Sequence, residues 1–267
     1  MSTENLDFLN NALKYLGFGE NSLLNSSLEE RIAEGAPGFE LYTDNSFDGE
    51  TLLSAKLFFR RGKDLHTERY FFNKYEAILQ YPGKPEKDVT KMFYIERSCR
   101  GVTFKQAFNL LQGRYIQRRI VDQNKDTHDR WFHLEPKVKD RDGYLYLREI
   151  KQQFDLEKAL DKYPIRETSF PEARDRICSS LRRGNLVPVT FVHESGKVEG
   201  RLLYANPVRG VISNVAEATG ARQKKGSTFP ITELPEIDHP GGDAISASIL
   251  EEEPAPASAP ARKKAHL

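Results

Sequence analysis

The chain has 267 residues, a formal net charge of +1 and two cysteines, Cys99 and Cys178. Such a balance gives no global pull toward nucleic acid or an anionic membrane, and two cysteines make no disulfide framework. The N-terminus MSTENLDFLNN lacks the basic-then-apolar run of a signal peptide, and no window approaches the ~20 apolar residues of a membrane span, so a cytoplasmic protein with reduced thiols is expected.

Leu6, Leu9, Leu13 and Leu16 fall on one helical face, which Gly17 and Gly19 end. A second helix is expected from Ser27 to Glu34, with Ser27 and Glu30 as a capping box and Gly35, Pro37 and Gly38 as its stop. A β-rich run follows: 39–47, 50–61, 68–81 and 89–96, with turns at Asp48-Gly49 and Pro82-Gly83. Its aromatics are interleaved with lysines and arginines. One reading is a stacking platform for single-stranded bases flanked by phosphate contacts. The other is ordinary sheet packing, which Glu50, Glu68 and Glu76 in the same strands favour.

The next stretch, TFKQAFNLLQGRYIQRR (103–119), organises the chain. Phe104, Ala107, Phe108 and Leu111 form an apolar stripe, Thr103 can cap the first turn, and Gly113 suits the left-handed residue after the last. Arg114, Ile116, Arg118 and Ile120 then lie on one side of a strand, with Tyr115, Gln117, Arg119 and Val121 on the other. Neither side is wholly apolar, which predicts an edge or partly exposed strand. Strands at 130–137 and 144–150 follow, then a short helix capped by Asp155, a helix from Pro171 to Arg183, a hairpin over 186–205 turned at 194–197, and a further strand at 208–215. The order helix, LLQGR, strand, loop, strand (103–137) is echoed by helix, LRRGN, strand, loop, strand (171–206). A duplication and a commonly used local plan both account for the echo. From 216 onward Ala, Ser, Pro, Gly, Glu and Lys dominate, which predicts a disordered tail.

The expected fold class is α+β: an N-terminal helical pair (1–38), an aromatic antiparallel β-meander (39–100), two helix–Gly–β-hairpin units (101–215) and the tail (216–267).

The phrases TFKQAFNLLQGR, FDLEKALDKYPI (154–165), LRRGNLVPVTF (181–191) and YANP (204–207), with LKYLGFGE (13–20) and YFFNKYEAIL (70–79), occur in this order. Together they resemble an uncharacterised family, a domain of unknown function carried by bacterial conjugative and other mobile elements and sometimes fused to topoisomerase-like proteins. The likeness spans roughly residues 5–210. It implies a neighbourhood of DNA transfer and processing, and no catalytic residue. The chain departs from that pattern after Gly113, where RYIQRR is more basic.

Between residues 97 and 130 eight Lys or Arg stand against Asp122, Asp126 and Asp129, a local net of +5. The functional expectation is therefore a non-enzymatic accessory protein that binds nucleic acid through this segment, with Arg97, Arg100, Lys105, Arg114, Arg118, Arg119 and Arg130 on phosphates. The alternatives are a protein-interaction module that uses an exposed strand edge near 114–121, and a nucleic-acid-processing enzyme with Tyr115 as nucleophile. His133 with Glu135, and His128 with Asp129, fall short of a zinc ligand set. Cys99, beside Arg100, reads as an inert thiol before a reactive one. No GxGxxG, P-loop, HExxH or GxSxG motif is present, and no cofactor or small-molecule substrate is expected.

Overall fold

The computed structural model describes residues 3–19, 22–62, 69–96, 101–122 and 124–216. The tail beyond Ala216, Arg97, Arg100 and Cys99 lie outside them. The described chain is α+β, with ten strands in three antiparallel sheets. Among the described residues no helix is long and apolar enough to cross a membrane.

Helix α1 (Thr3–Tyr15) buries Leu9 and Leu13, with Leu16 just beyond it. Helix α2 runs from Ser22 to Ala33, beginning five residues before the expected start. Ser27 and Glu30 are thus inside the helix and form no capping box. The buried stripe Leu24, Leu28 and Ile32 extends the helix N-terminally past that pattern.

Strands β1 (Gly38–Asn45), β2 (Leu52–Arg61), β3 (Tyr70–Gln80) and β4 (Val89–Tyr94) pair in sequence order, as a meander should. Alternation sets their two faces. Leu53, Ala55, Leu57 and Phe59 of β2, with Tyr75, Ala77 and Leu79 of β3, point into the core that also holds the helix leucines. The register shifts between Phe58 and Phe59. The extra residue, Asn73, lets Tyr70 and Phe72 reach the same core as Tyr75. The opposite face carries Glu40, Tyr42, Lys56, Phe58, Lys74 and Tyr94.

Helix α3 (Phe104–Leu111) is capped as its sequence predicts: Gln106 N–H donates to Thr103 Oγ1, and Thr103 N–H donates to the Gln106 side chain. Strands β5 (Ile116–Val121), β6 (Thr127–Lys139) and β7 (Leu145–Ile150) form the second sheet, with β5 at an edge. This sheet is clasped on both faces. Ile116, Phe132, Leu134 and Leu147 join the first core, while Trp131 and Ile150 join a second. The second core is completed by α4 (Leu156–Leu160, capped by Asp155), α5 (Pro171–Arg182) and the third sheet: β8 (Val187–Val192), β9 (Val198–Asn206) and β10 (Val211–Ala216).

The two helix–glycine–hairpin units correspond from the helix end through the hairpin pairing, although α5 is longer than α3 and β9 shorter than β6. Gly113 and Gly184 stand 71 residues apart, and both have positive φ. Each ends its helix in the same paired bonds, Gly113 to Leu110 and Arg114 to Asn109 in one, Gly184 to Leu181 and Asn185 to Ser180 in the other. At the same spacing Ile116↔Phe132 becomes Val187↔Leu203, and Val121↔Thr127 becomes Val192↔Val198. Even the loops match: Asp122 N–H bonds the Asp126 carbonyl as His193 N–H bonds that of Lys197. The two helix ends also dock on one another. Asn109, fully buried, donates to the Arg183 carbonyl and the Asn185 side chain, and Arg114 Nε donates to the Gly184 carbonyl.

Candidate nucleic-acid interface

The described cations of the basic segment do not converge on one surface. Strand alternation puts Arg118 and Arg130 on one face of the second sheet and Arg119 on the other. Each has a carboxylate: Arg118 with Glu96 at 3.2 Å, Arg119 with Asp129 at 3.4 Å, and Arg130 with Glu149 at 3.2 Å. Arg114 is spent on the docked helix ends, where it also donates to Asn109 Oδ1 at 2.6 Å. Lys105 lies over the rings of Phe47 (4.3 Å) and Phe108 (4.8 Å). Burial, aided by the charge of Arg114 and opposed by Asp48, lowers its ammonium pKa to about 8.

The chemistry candidates separate in the same way. Burial raises the Tyr115 phenol pKa, against the direction that would activate it, and its ring lies 5.3 Å from that of His133. His133 stands 3.9 Å from Glu135, whose carboxylate is taken by Arg148 at 2.9 Å. His128 bonds Asp122 instead of joining Asp129 in a ligand set. Among the described residues no group of three His, Cys, Asp or Glu is arranged to hold a metal. Burial raises the Cys178 thiol pKa, which suits an inert core cysteine.

A different surface brings cations and aromatics together. On the outer face of the first sheet, cross-strand neighbours form two rows: Tyr42–Lys56–Glu76–Met92 and Glu40–Phe58–Lys74–Tyr94. The Phe58 ring is flanked by two ammonium groups, Lys56 Nζ at 5.1 Å and Lys74 Nζ at 5.0 Å from its centroid. Lys56 also reaches Tyr42 (5.8 Å), and Lys74 reaches Tyr94 (6.0 Å). Aromatic and lysine therefore alternate along a zigzag between the two rows, Tyr42–Lys56–Phe58–Lys74–Tyr94. Tyr42 and Tyr94 are 68% and 61% exposed, and the Tyr94 hydroxyl donates to Asp142 at 3.2 Å. Phe71 and Arg60, paired across β2 and β3, are exposed on the same face.

Carboxylates temper the charge of this face. Glu40 takes Lys56 at 2.7 Å and accepts the Tyr42 hydroxyl at 3.0 Å, and the Lys56 bond holds the Glu40 pKa down. Glu76 accepts the Tyr144 hydroxyl at 2.6 Å, a bond that pushes that phenol to about 12. Among the described residues no carboxylate pairs with Lys74. Lys74, between the two aromatics, is thus the best placed for an incoming anion.

The alternation of β2 and β3 holds the signal for this surface. The side facing solvent, however, is fixed by where α1 and α3 pack, which the strands themselves do not encode. Comparisons with protein-family models, with characterised proteins and with solved structures find no match for this chain.

Proposed function

We propose that the protein binds single-stranded nucleic acid on the outer face of its four-stranded sheet, as a non-enzymatic accessory factor. The observation that carries the reading is the zigzag in which Lys56 and Lys74 flank Phe58 and reach Tyr42 and Tyr94. Flat rings accept bases of any sequence by stacking, and lysines between them meet the phosphates that link successive bases. Among the described residues no aromatic ring stacks on Tyr42 or Tyr94, which leaves both for that role. The resemblance to proteins of mobile elements supports the same reading, since DNA transfer exposes single strands. The described part of the basic segment then contributes mainly to the fold, Arg118, Arg119 and Arg130 being held by carboxylates and Arg114 by the docked helix ends.

The test is binding of a labelled oligothymidine. Each exposed ring stacked on a base contributes ~1–3 kcal/mol, so Tyr94→Ala should weaken binding by roughly 5- to 150-fold. Its high exposure makes an accompanying loss of stability small, within about 0.5 kcal/mol. Equal binding by wild type and Tyr94→Ala, with folding intact, overturns the stacking role.

Strand addition is the second reading, favoured by the edge position of β5. A protein partner that stays attached in a pull-down after nuclease treatment would support it over the first.

A further inference from the structure

The tip of the β6–β7 hairpin is built onto the β4 end of the first sheet. The pairing of β6 with β7 shifts register between Glu135 and Lys139, which sets residues 139–145 apart from the rest of the hairpin. Asp140 organises this tip. Its Oδ1 accepts the N–H groups of Asp142 at 3.1 Å and Tyr144 at 2.9 Å, and its Oδ2 takes Lys91 Nζ at 2.6 Å. Lys91 is 6% exposed, and its Nζ lies 5.8 Å from the centroid of the Tyr144 ring, whose hydroxyl reaches Glu76. Breaking a buried ion pair leaves an uncompensated charge, so the tip is a fixed part of this face.

The tip holds a carboxylate at the last ring of the zigzag. Asp142 Oδ2 accepts the Tyr94 hydroxyl at 3.2 Å, and among the described residues no donor meets its Oδ1. Burial, then the bond to Asp142 and the charges of Asp142 and Asp140, raise the Tyr94 phenol pKa. Arg141, exposed between the two aspartates, is not among the groups that act on Tyr94. The two ends of the zigzag therefore differ. The hydroxyls of Tyr42 and Tyr94 both donate to a carboxylate, but Glu40 is neutralised by Lys56 at 2.7 Å, whereas among the described residues no cation pairs with Asp142. A strand stacked on Phe58 and Tyr94 meets that free charge as it leaves the sheet beyond β4. A phosphate there is repelled, while a sugar hydroxyl donates to Oδ1 in a charge-assisted hydrogen bond.

We infer that Asp142 is a specificity-determining residue of the sheet face: it ends the track at Tyr94 and selects there a strand terminus that carries a hydroxyl over one that carries a phosphate. The inference rests on the single-strand reading above and adds which part of a strand the face takes.

The test is competition against a long labelled oligothymidine at low salt. The competitors are oligothymidines of about four nucleotides, short enough that an end lies on the track, with either hydroxyls or phosphates at both termini. For wild type the hydroxyl-ended form should compete roughly three- to tenfold better, the size expected of one exposed like-charge contact. Asp142→Asn keeps an acceptor for the Tyr94 hydroxyl and removes the charge, so it should bring the two forms within about twofold, mainly by tightening the phosphate-ended one. A purely structural role for Asp142 would move both competitors together and leave their ratio unchanged. Equal competition by the two forms for wild type, a preference that Asp142→Asn retains, or no competition from either while the long strand binds overturns the end-stop and leaves the sheet reading standing. A long oligothymidine that fails to bind overturns both.

Discussion

Lys105 shows how a single charge is shaped by its surroundings. Held against two aromatic rings and near Arg114, its ammonium loses hydration, and its pKa falls from 10.5 to about 8. A lysine whose folded pKa lies below its unfolded value binds fewer protons folded than unfolded between those two values. The cost of keeping it charged is therefore complete below about pH 8, and stability is regained as pH rises toward 10.5. Thermal melts of wild type and Lys105→Met should thus differ by a gap that shifts in favour of wild type across this window. A gap constant with pH would contradict the burial of that charge. Lys125 is a second instance. It has φ of +66°, and the matching residue in the other hairpin loop is Gly196 at +80°. A non-glycine residue pays a steric penalty there, so Lys125→Gly should stabilise by up to about 1 kcal/mol in chemical denaturation, and Gly196→Lys should do the reverse.

The element that binds the two units is the pair of docked helix ends. Gly113 and Gly184 have the same backbone conformation and a similar sequence context, yet their surroundings differ. A Cβ at Gly113 would meet nothing within 4 Å, whereas one at Gly184 would stand 2.7 Å from the Tyr115 carbonyl oxygen and 3.1 Å from Asn109 Cβ. Gly113→Ala should therefore cost only about 1 kcal/mol for the left-handed φ, and Gly184→Ala about 3 kcal/mol or more as the docked backbones are forced apart. Denaturant midpoints of the two variants give the comparison; equal losses would contradict the docking. Both glycines were legible in the sequence as helix stops, because the stop signal is local. Their unequal roles were not, because the contact joins residues some 70 positions apart. The same division runs through the other elements. The capping box of α3 depends on Thr103 and Gln106 alone and was readable, while the Ser27–Glu30 pattern in α2 was overridden by the burial of Leu24 and Leu28.

At the scale of the whole molecule, the second sheet serves two cores, and the outer face of the first sheet stays open around Tyr42, Phe58 and Lys74, while the β6–β7 turn reaches it through Tyr144 at Glu76 and Asp142 at Tyr94. The inner face of the first sheet is occupied by leucines and aromatics of the helices, so the residues left outside are those free to meet a partner. The strands of this meander could be read from composition and turns. The separation of its aromatics into buried Phe59, Tyr70 and Tyr75 and exposed Tyr42 and Tyr94 could not, since it depends on the helices and on the extra residue at Asn73. Charge counting pointed instead to residues 97–130, because the partners Glu96 and Glu149 lie outside the densest cationic stretch or across a strand pairing. The central claim is that single strands bind the open sheet face through stacking with modest help from charge. Polarisation of a labelled oligothymidine should show log affinity falling with log salt at a slope of about −1.4 to −2.1, as about −0.7 per contacted phosphate implies for two or three cations. In that assay Tyr42→Ala with Tyr94→Ala should lose at least roughly tenfold in affinity, while Arg118→Gln with Arg119→Gln should stay within about twofold of wild type. An unaltered affinity in the tyrosine pair alongside a collapse in the arginine pair, or no binding at low salt, would contradict it.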